Sequence, residues 1–296
     1  MGDYSHLKGT GIALVTPFNN DLSIDWEGLK RLLKFTADNG ADYFVVMGTT
    51  AESATLSAKE KAEILAFVKA NNDKKLPLVY GIGNYSTQEV LNTIDQTNLE
   101  GIDAILSVCP YYNKPSQEGI TAHFKAIAEH SPVPVLLYNV PGRTVVNMSY
   151  KTTIALSQHK NIIGIKEAAG DLQQIMRIAK YKTKDFLLIS GDDMFTPALA
   201  ASGGDGVISV LANSFPTHFQ RLFQKASQND FIGASEEVYP FLELNRFLYE
   251  ESNPVGIKYI LNKQGICGTQ VRLPLLQASP ALQQKIDQEI TSASLL

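Results

Sequence analysis

Eight short apolar runs, each followed by a longer stretch with helical spacing, limit what this chain can fold into. The runs are "GIALVTPF" (11–18), "DYFVVMG" (42–48), "PLVYGIG" (77–83), "DAILSVCP" (103–110), "PVLLYNV" (134–140), "IIGIKEA" (162–168), "FLLISGD" (186–192) and "GVISVL" (206–211). They are rich in Val, Ile and Leu on both faces, as strands of a parallel sheet covered on both sides should be. Between them lie amphipathic stretches at 57–72, 116–130, 149–159 and 171–181. The first opens with a capping box at Ser57 and Glu60. Strand then helix, eight times over, predicts an α/β fold, a (β/α)8 TIM barrel. A doubly wound sheet is the main alternative. It usually has fewer strands and often a glycine-rich first turn, whereas the first run here ends in "VTPF" without a GxGxxG.

The eight units are complete by about residue 229. From 230 to 296 no strong strand run remains, and 233–251, 254–265 and 280–290 read as helices, with breaks at Gly265 and around Pro274. The expected organisation is a barrel over 1–229 and a helical C-terminal extension over 230–296 packed on it. A chain of 296 residues buries a large core without staples.

Composition removes several functions. Net charge is −4, and no basic block suggests nucleic acid or an anionic membrane. No apolar stretch approaches the ~18 residues of a membrane span, and the N-terminal segment lacks the parts of a signal peptide. Cys109 and Cys267 stand far apart, outside any CxxC, and read as small apolar residues in a reducing compartment. The expectation is a cytoplasmic protein. The five histidines form no HExxH or close pair, so no metal site is expected.

In such a barrel the chemistry sits at the C-terminal ends of the strands, and these ends are unusual. They carry Thr49, Thr50 and Glu52 after the second run, Tyr111 and Tyr112 after the fourth, and Tyr138 and Arg143 after the fifth. Lys166 and Glu167 end the sixth, and "SGDD" ends the seventh. Taken singly, each has an ordinary explanation: turn-capping threonines, packing tyrosines, a rim arginine, a lysine paired with its neighbour. Taken together on one face, they point to Schiff-base chemistry. An amine attacks a ketone only when unprotonated, and free lysine, with a pKa near ~10.4, is mostly inert at neutral pH. The apolar setting of "IIGIK" disfavours the charged form. Loss of water from a carbinolamine then needs a proton shuttle within reach, and Tyr138 is the candidate. Arg143 offers a planar fork suited to a carboxylate. Strand alternation turns Glu167 away from Lys166, toward the helix layer, in a structural role. "SGGDG" (202–206) precedes the eighth run and so falls on the bottom face. Asp192 and Asp193 at the top would repel a phosphorylated substrate.

These motifs resemble the dihydrodipicolinate synthase family, in the superfamily that also includes N-acetylneuraminate lyase. The likeness runs from "GIALVTPF" through "GTTAESATL", "PYYNKPSQEG", "YNVPGRT", "GIKEA", "SGDD" and "GVISV" to "NPVGIKYIL" and "RLPL". It implies condensation of pyruvate with aspartate 4-semialdehyde to 4-hydroxy-tetrahydrodipicolinate, on the route to lysine and diaminopimelate. No separate cofactor is implied, because pyruvate itself forms a covalent imine. Lys166 matches the Schiff-base lysine and Tyr138 the proton-relay tyrosine. Thr49 matches the threonine that links Tyr138 to a second tyrosine, Tyr112, which in the family reaches into the neighbouring subunit's site. The resemblance therefore implies a homo-oligomer, at least a dimer and commonly a tetramer built as a dimer of dimers. Thr50 matches the ligand of the pyruvate carboxylate, and Arg143 that of the semialdehyde carboxylate. Gly191 and Ile208 match backbone positions near the substrate. A sialic acid lyase or another pyruvate-dependent sugar-acid aldolase shares the lysine and tyrosine. Arg143 and "YYNKPS" favour the synthase. A catalytically silent barrel used for binding has no reason to keep the Lys–Tyr–Thr–Tyr set.

The chain departs from the family at three places. "GTTAES" carries Ala51 in place of the usual glycine, so position 51 needs a backbone angle that alanine allows. "NPVGIK" replaces "NPIPVK". In the allosteric pocket where many relatives bind lysine, Ser53, Ala54, Glu89 and Tyr111 match. Ala58 and Lys61 stand where some lysine-sensitive relatives have histidines, and Tyr85 where asparagine is common. A cation at 61 disfavours a second cation nearby. Lysine feedback is therefore expected to be weak or absent. Micromolar lysine should slow initial rates little or not at all; strong inhibition would contradict this expectation.

Overall fold

The structure, a computed structural model, describes residues 2–296. Eight parallel strands close into one barrel in sequence order. They are β1 (Gly9–Ala13), β2 (Tyr43–Val46), β3 (Leu78–Gly81), β4 (Ala104–Val108), β5 (Val135–Asn139), β6 (Ile162–Glu167), β7 (Leu187–Ser190) and β8 (Gly206–Ser209). Each apolar run holds a strand. The first strand begins two residues before its run and ends at Ala13, because "VTPF" has already left the barrel to form the top loop. "SGGDG" lies below β8, where Asp205 pairs with Lys8 and Lys182.

The outer layer follows the sequence punctuation. It comprises α1 (Trp26–Asp38), α2 (Ala58–Ala70), α3 (Thr87–Gln96), α4 (Gln117–His130), α5 (Pro141–Thr144), α6 (Tyr150–Leu156), α7 (Leu172–Tyr181), α8 (Thr196–Ala201) and α9 (Pro216–Ser227). Ser57 caps α2 with the full capping box, and Ser116, Ser149 and Asp171 cap α4, α6 and α7 through their side chains. Each cap satisfies a backbone donor that the helix start leaves free.

The C-terminal region forms α10 (Phe231–Glu236), α11 (Leu242–Glu250), α12 (Val255–Lys263) and α13 (Pro280–Ser292). The single helix expected over 233–251 is thus two, with a 3-10 turn at Tyr239–Phe241 between them. Pro240 is the physical reason, since it lacks the N–H that a continuous helix would use. Ala234, Val238, Phe241, Leu244, Leu248 and Ile257 belong to the same apolar core as the outward faces of the strands. Among the described residues no helix is long and apolar enough to cross a membrane. No group of three or more metal-binding side chains occurs among them.

Side chains sort by alternation into two layers. Val45, Val79, Leu136, Tyr138, Ile163, Ile189 and Ile208 fill the barrel. Phe44, Val46, Tyr80, Leu137, Ile162, Ile165 and Val207 face the helices. Strand β6 breaks the rule once. Val135 pairs with Ile162, but its successor Leu136 pairs with Gly164, so Ile163 is one residue extra. A bulge of this kind re-aims every side chain beyond it. In an unbroken strand Lys166 would share the face of Ile162 and point at the helices. With the extra residue, Ile165 and Glu167 face outward, and Lys166 faces the interior beside its register partner Tyr138. Gly164 fits because it has no Cβ; one would stand 2.6 Å from the Leu187 carbonyl oxygen and 2.9 Å from Leu136 Cδ2.

Candidate active site

Above the filled barrel layers lies a cavity of about 620 Å³, lined by Thr49, Thr50, Tyr138, Arg143, Lys166 and Gly191, with Ala13, Val45 and Leu106 as apolar wall. Lys166 is 7% exposed, and its Nζ lies 4.4 Å from the centroid of the Tyr138 ring. None of the ion pairs among the described residues includes it. A buried amine with no carboxylate partner is available for chemistry rather than tied up in packing.

The expectation for Glu167 holds. It accepts hydrogen bonds from Asn139 Nδ2 (3.0 Å), Gln174 Nε2 (3.0 Å) and the Ala169 amide (2.7 Å), all on the helix side of the strand. Burial raises its carboxyl above the usual range, and these donors oppose that rise.

Gly191 leaves room for the lysine. A Cβ there would stand 3.1 Å from Lys166 Cε and Cγ and 2.7 Å from Ala168 Cβ. Ile208 is one level lower, a buried member of the barrel filling, while Val210 lines the cavity. Arg143 sits exposed on the rim, in the short helix α5 that Pro141 opens, with no carboxylate within ion-pair distance among the described residues.

The turn after β2 carries both threonines. Its left-handed residues are Met47 (φ 60°) and Glu52 (φ 55°), so Ala51 sits in an ordinary 3-10 turn. Thr50 is 3% exposed, and its Oγ1 accepts from Asn253 Nδ2 at 2.9 Å. Thr49 stands at the boundary between this cavity and a smaller one of about 170 Å³, which also contacts Tyr138, Ser53, Lys61 and Tyr80.

Tyr112 is not among the residues lining its own chain's cavity. It is 87% exposed and left-handed (φ 70°), with its ring 6.2 Å from that of Tyr85, which packs edge-on against Tyr111. A bulky residue in that region is strained. Of the allosteric candidates, Ser53 and Lys61 share the small cavity. Ser53, Ala54 and Tyr111 line a neighbouring one of about 350 Å³. Ala58 lines a third with Lys61, and Tyr85 and Glu89 line none of the three. Burial lowers the Lys61 amine from its ordinary value.

All five cavity residues from the C-terminal region, Tyr249 to Asn253, were missed by sequence reasoning. Tyr249 is 41% exposed as a residue, yet desolvation of its phenol, together with Asp193 and Asp192, holds that group well above its ordinary value, and Tyr138 and Arg143 also lie within electrostatic reach. For Asn253 the nearest signal is "NPVGIKYIL", which carries part of the family likeness but from which no site residue was taken. The expectation for Asp193 needs correction. Only Asp192 lines the cavity. Asp193 is 3% exposed and turns its Oδ2 to the amides of Val210 (3.2 Å) and Leu211 (3.0 Å), tying the top of β7 to the segment after β8.

Comparison with known proteins agrees with this geometry. The family model described as the Dihydrodipicolinate synthetase family matches residues 6–293. The 4-hydroxy-tetrahydrodipicolinate synthase of Cytophaga hutchinsonii is 51% identical over 280 residues, covering 95% of this chain and 94% of that one. The protein of that name from Parabacteroides distasonis is 44% identical over 291 residues, 98% of each chain. The solved dihydrodipicolinate synthase of Thermotoga maritima superposes with a TM-score of 0.94 at 35% identity, covering 98% of this chain and 99% of that one. The chloride-inhibited enzyme of Acinetobacter baumannii, solved with pyruvate, does so with 0.94 at 34% identity, covering 98% and 100%.

Burial pushes the Asp193 carboxyl from 3.8 up to about 6, against the opposing pull of its amide donors. Between those values the folded chain holds a proton that the unfolded chain has released. Stability from this group is therefore present in full below about pH 4 and falls as pH rises toward 6. Asp193→Asn should remove that component. Denaturant melts of the two proteins should differ in their pH 4 to pH 7 change by at most about 3 kcal/mol. Parallel pH profiles would contradict the assignment.

Proposed function

Because the chain belongs to the dihydrodipicolinate synthetase family, we propose that it condenses pyruvate with L-aspartate 4-semialdehyde to give 4-hydroxy-tetrahydrodipicolinate. The observation that carries this reading is the inward-facing Lys166 beside Tyr138, in a cavity with an unpaired arginine on its rim. The Lys166 amine adds to the pyruvate ketone, forming a C–N bond. Tyr138 returns a proton to the carbinolamine oxygen, which leaves as water, and the imine results. Loss of a methyl proton gives an enamine. Its carbon then attacks the aldehyde of the second substrate, forming the C–C bond while the aldehyde oxygen takes a proton. Attack by the product's own amino group on the imine carbon closes the ring and frees Lys166. No cofactor is needed, since the imine is the electron sink.

Thr50 donates to the pyruvate carboxylate, Arg143 holds the semialdehyde carboxylate, and Gly191 keeps the lysine's path clear. Thr49 relays between Tyr138 and a second tyrosine. Tyr112 supplies it from a neighbouring copy, for which its strained, exposed position is suited. The working unit is then at least a dimer, in the cytoplasm. A sugar-acid lyase would use the same lysine and tyrosine, but the rim arginine fits a second carboxylate better than a neutral sugar chain.

Incubation with pyruvate, borohydride reduction and intact mass measurement tests the reading. One reduced pyruvate per chain is expected, absent in Lys166→Ala; no gain, or a gain that survives this substitution, would refute it. Arg143→Ala should trap pyruvate normally yet lose about 10²-fold in kcat/KM for the semialdehyde. Equal loss of both would reassign the arginine.

A further inference from the structure

The turn that carries Thr49 and Thr50 is held from both sides by the C-terminal region. Asn253, between α11 and α12, is 6% exposed and reaches across 203 positions to donate to Thr50 Oγ1. Five residues later, Lys258 is fully buried. Its Nζ bonds Glu52 Oε1 at 2.6 Å and the Gln270 carbonyl at 2.7 Å. The other oxygen of Glu52 accepts the Arg272 amide at 2.9 Å. Glu52 lies two residues beyond Thr50, so one end of the turn meets Asn253 and the other meets Lys258.

A threonine hydroxyl has one proton to give and lone pairs that accept. An amide N–H pointed at Thr50 Oγ1 occupies a lone pair and leaves the hydroxyl proton to point elsewhere, into the cavity that Thr50 and Asn253 both line. The Asn253 Oδ1 is buried without a partner, so the amide forgoes one hydrogen bond to present its N–H here. We propose that Asn253 is a positioning residue of the pyruvate site. It turns the Thr50 hydroxyl proton toward the substrate carboxylate, and the Lys258–Glu52 pair holds it against the turn. The inference rests on the reading of Thr50 as the pyruvate ligand.

A double-mutant cycle of Asn253→Ala and Thr50→Val decides it, with KM measured for each substrate. Asn253→Ala should raise the pyruvate KM about tenfold in the wild-type background. It should leave the semialdehyde KM within about twofold, and should change the pyruvate KM by less than about twofold when Thr50 is already Val. Asn253→Asp keeps the shape but accepts the Thr50 proton and adds a charge facing the substrate carboxylate. It should raise the pyruvate KM further, by about 10²-fold. An equal effect of Asn253→Ala in both backgrounds, or an Asp variant that binds pyruvate like the wild type, would overturn the proposal. The cycle decides alone if the Asp variant does not fold. Wild-type protein that gains no mass from pyruvate and borohydride would instead refute the reading beneath it.

Discussion

The site depends on one extra residue in strand β6. A barrel strand offers its side chains alternately to the interior and to the helix layer. With no irregularity, Ile162 and Lys166 would share a face. The chain would then bury an ammonium against the helix layer and turn Glu167 inward. The bulge at Ile163 and Gly164 shifts the phase. Below it, Ile162 packs outward. Above it, Lys166 enters the cavity, and Glu167 meets a prepared set of donors from Asn139, Gln174 and Ala169. Both ionisable groups at the end of the strand find suitable surroundings through a single register shift. The glycine is where the two strands come too close for a side chain.

The second constraint is the buried charge pair between Lys258 and Glu52, whose side chains are 0% and 1% exposed. Taking two ions out of water is costly, and apolar residues of similar volume would often stabilise the fold as well or better. The attraction is offset by desolvation, so the pair is better understood through what it specifies. It fixes the C-terminal helices in one place over the top of the barrel, and the same helices deliver Tyr249 and Asn253 to the cavity. The extension is therefore part of the site as well as part of the packing.

Much of this was legible in the sequence. The eight runs marked every strand because parallel strands covered on both faces need continuous apolar residues. The capping box at Ser57 and Glu60 marked the start of α2 because a side-chain acceptor there is a local requirement. Lys166, Tyr138, Thr49, Thr50 and Arg143 stood out as polar residues where apolar runs stop, and all five line one cavity. The bulge was invisible, because "IIGIK" reads equally well in either phase and only pairing with β5 decides. Asn253 and Tyr249 were missed because their roles depend on how the last helices fold back, a contact across some 200 residues with no local signature. Asp193 was misplaced for a similar reason. Adjacent acids look alike in sequence, and the amides that bury one of them come from the next strand's loop.

The most direct measurement is the rate at which Gly164→Ala is trapped by pyruvate and borohydride, compared with wild type in folded protein. A side chain at 164 must push β6 from β7 or reset the pairing, and either moves the amine. The account predicts a fall of about 10²-fold in trapping with the barrel's secondary structure retained. Trapping at the wild-type rate in a folded Gly164→Ala protein would contradict the claim that this bulge aims Lys166.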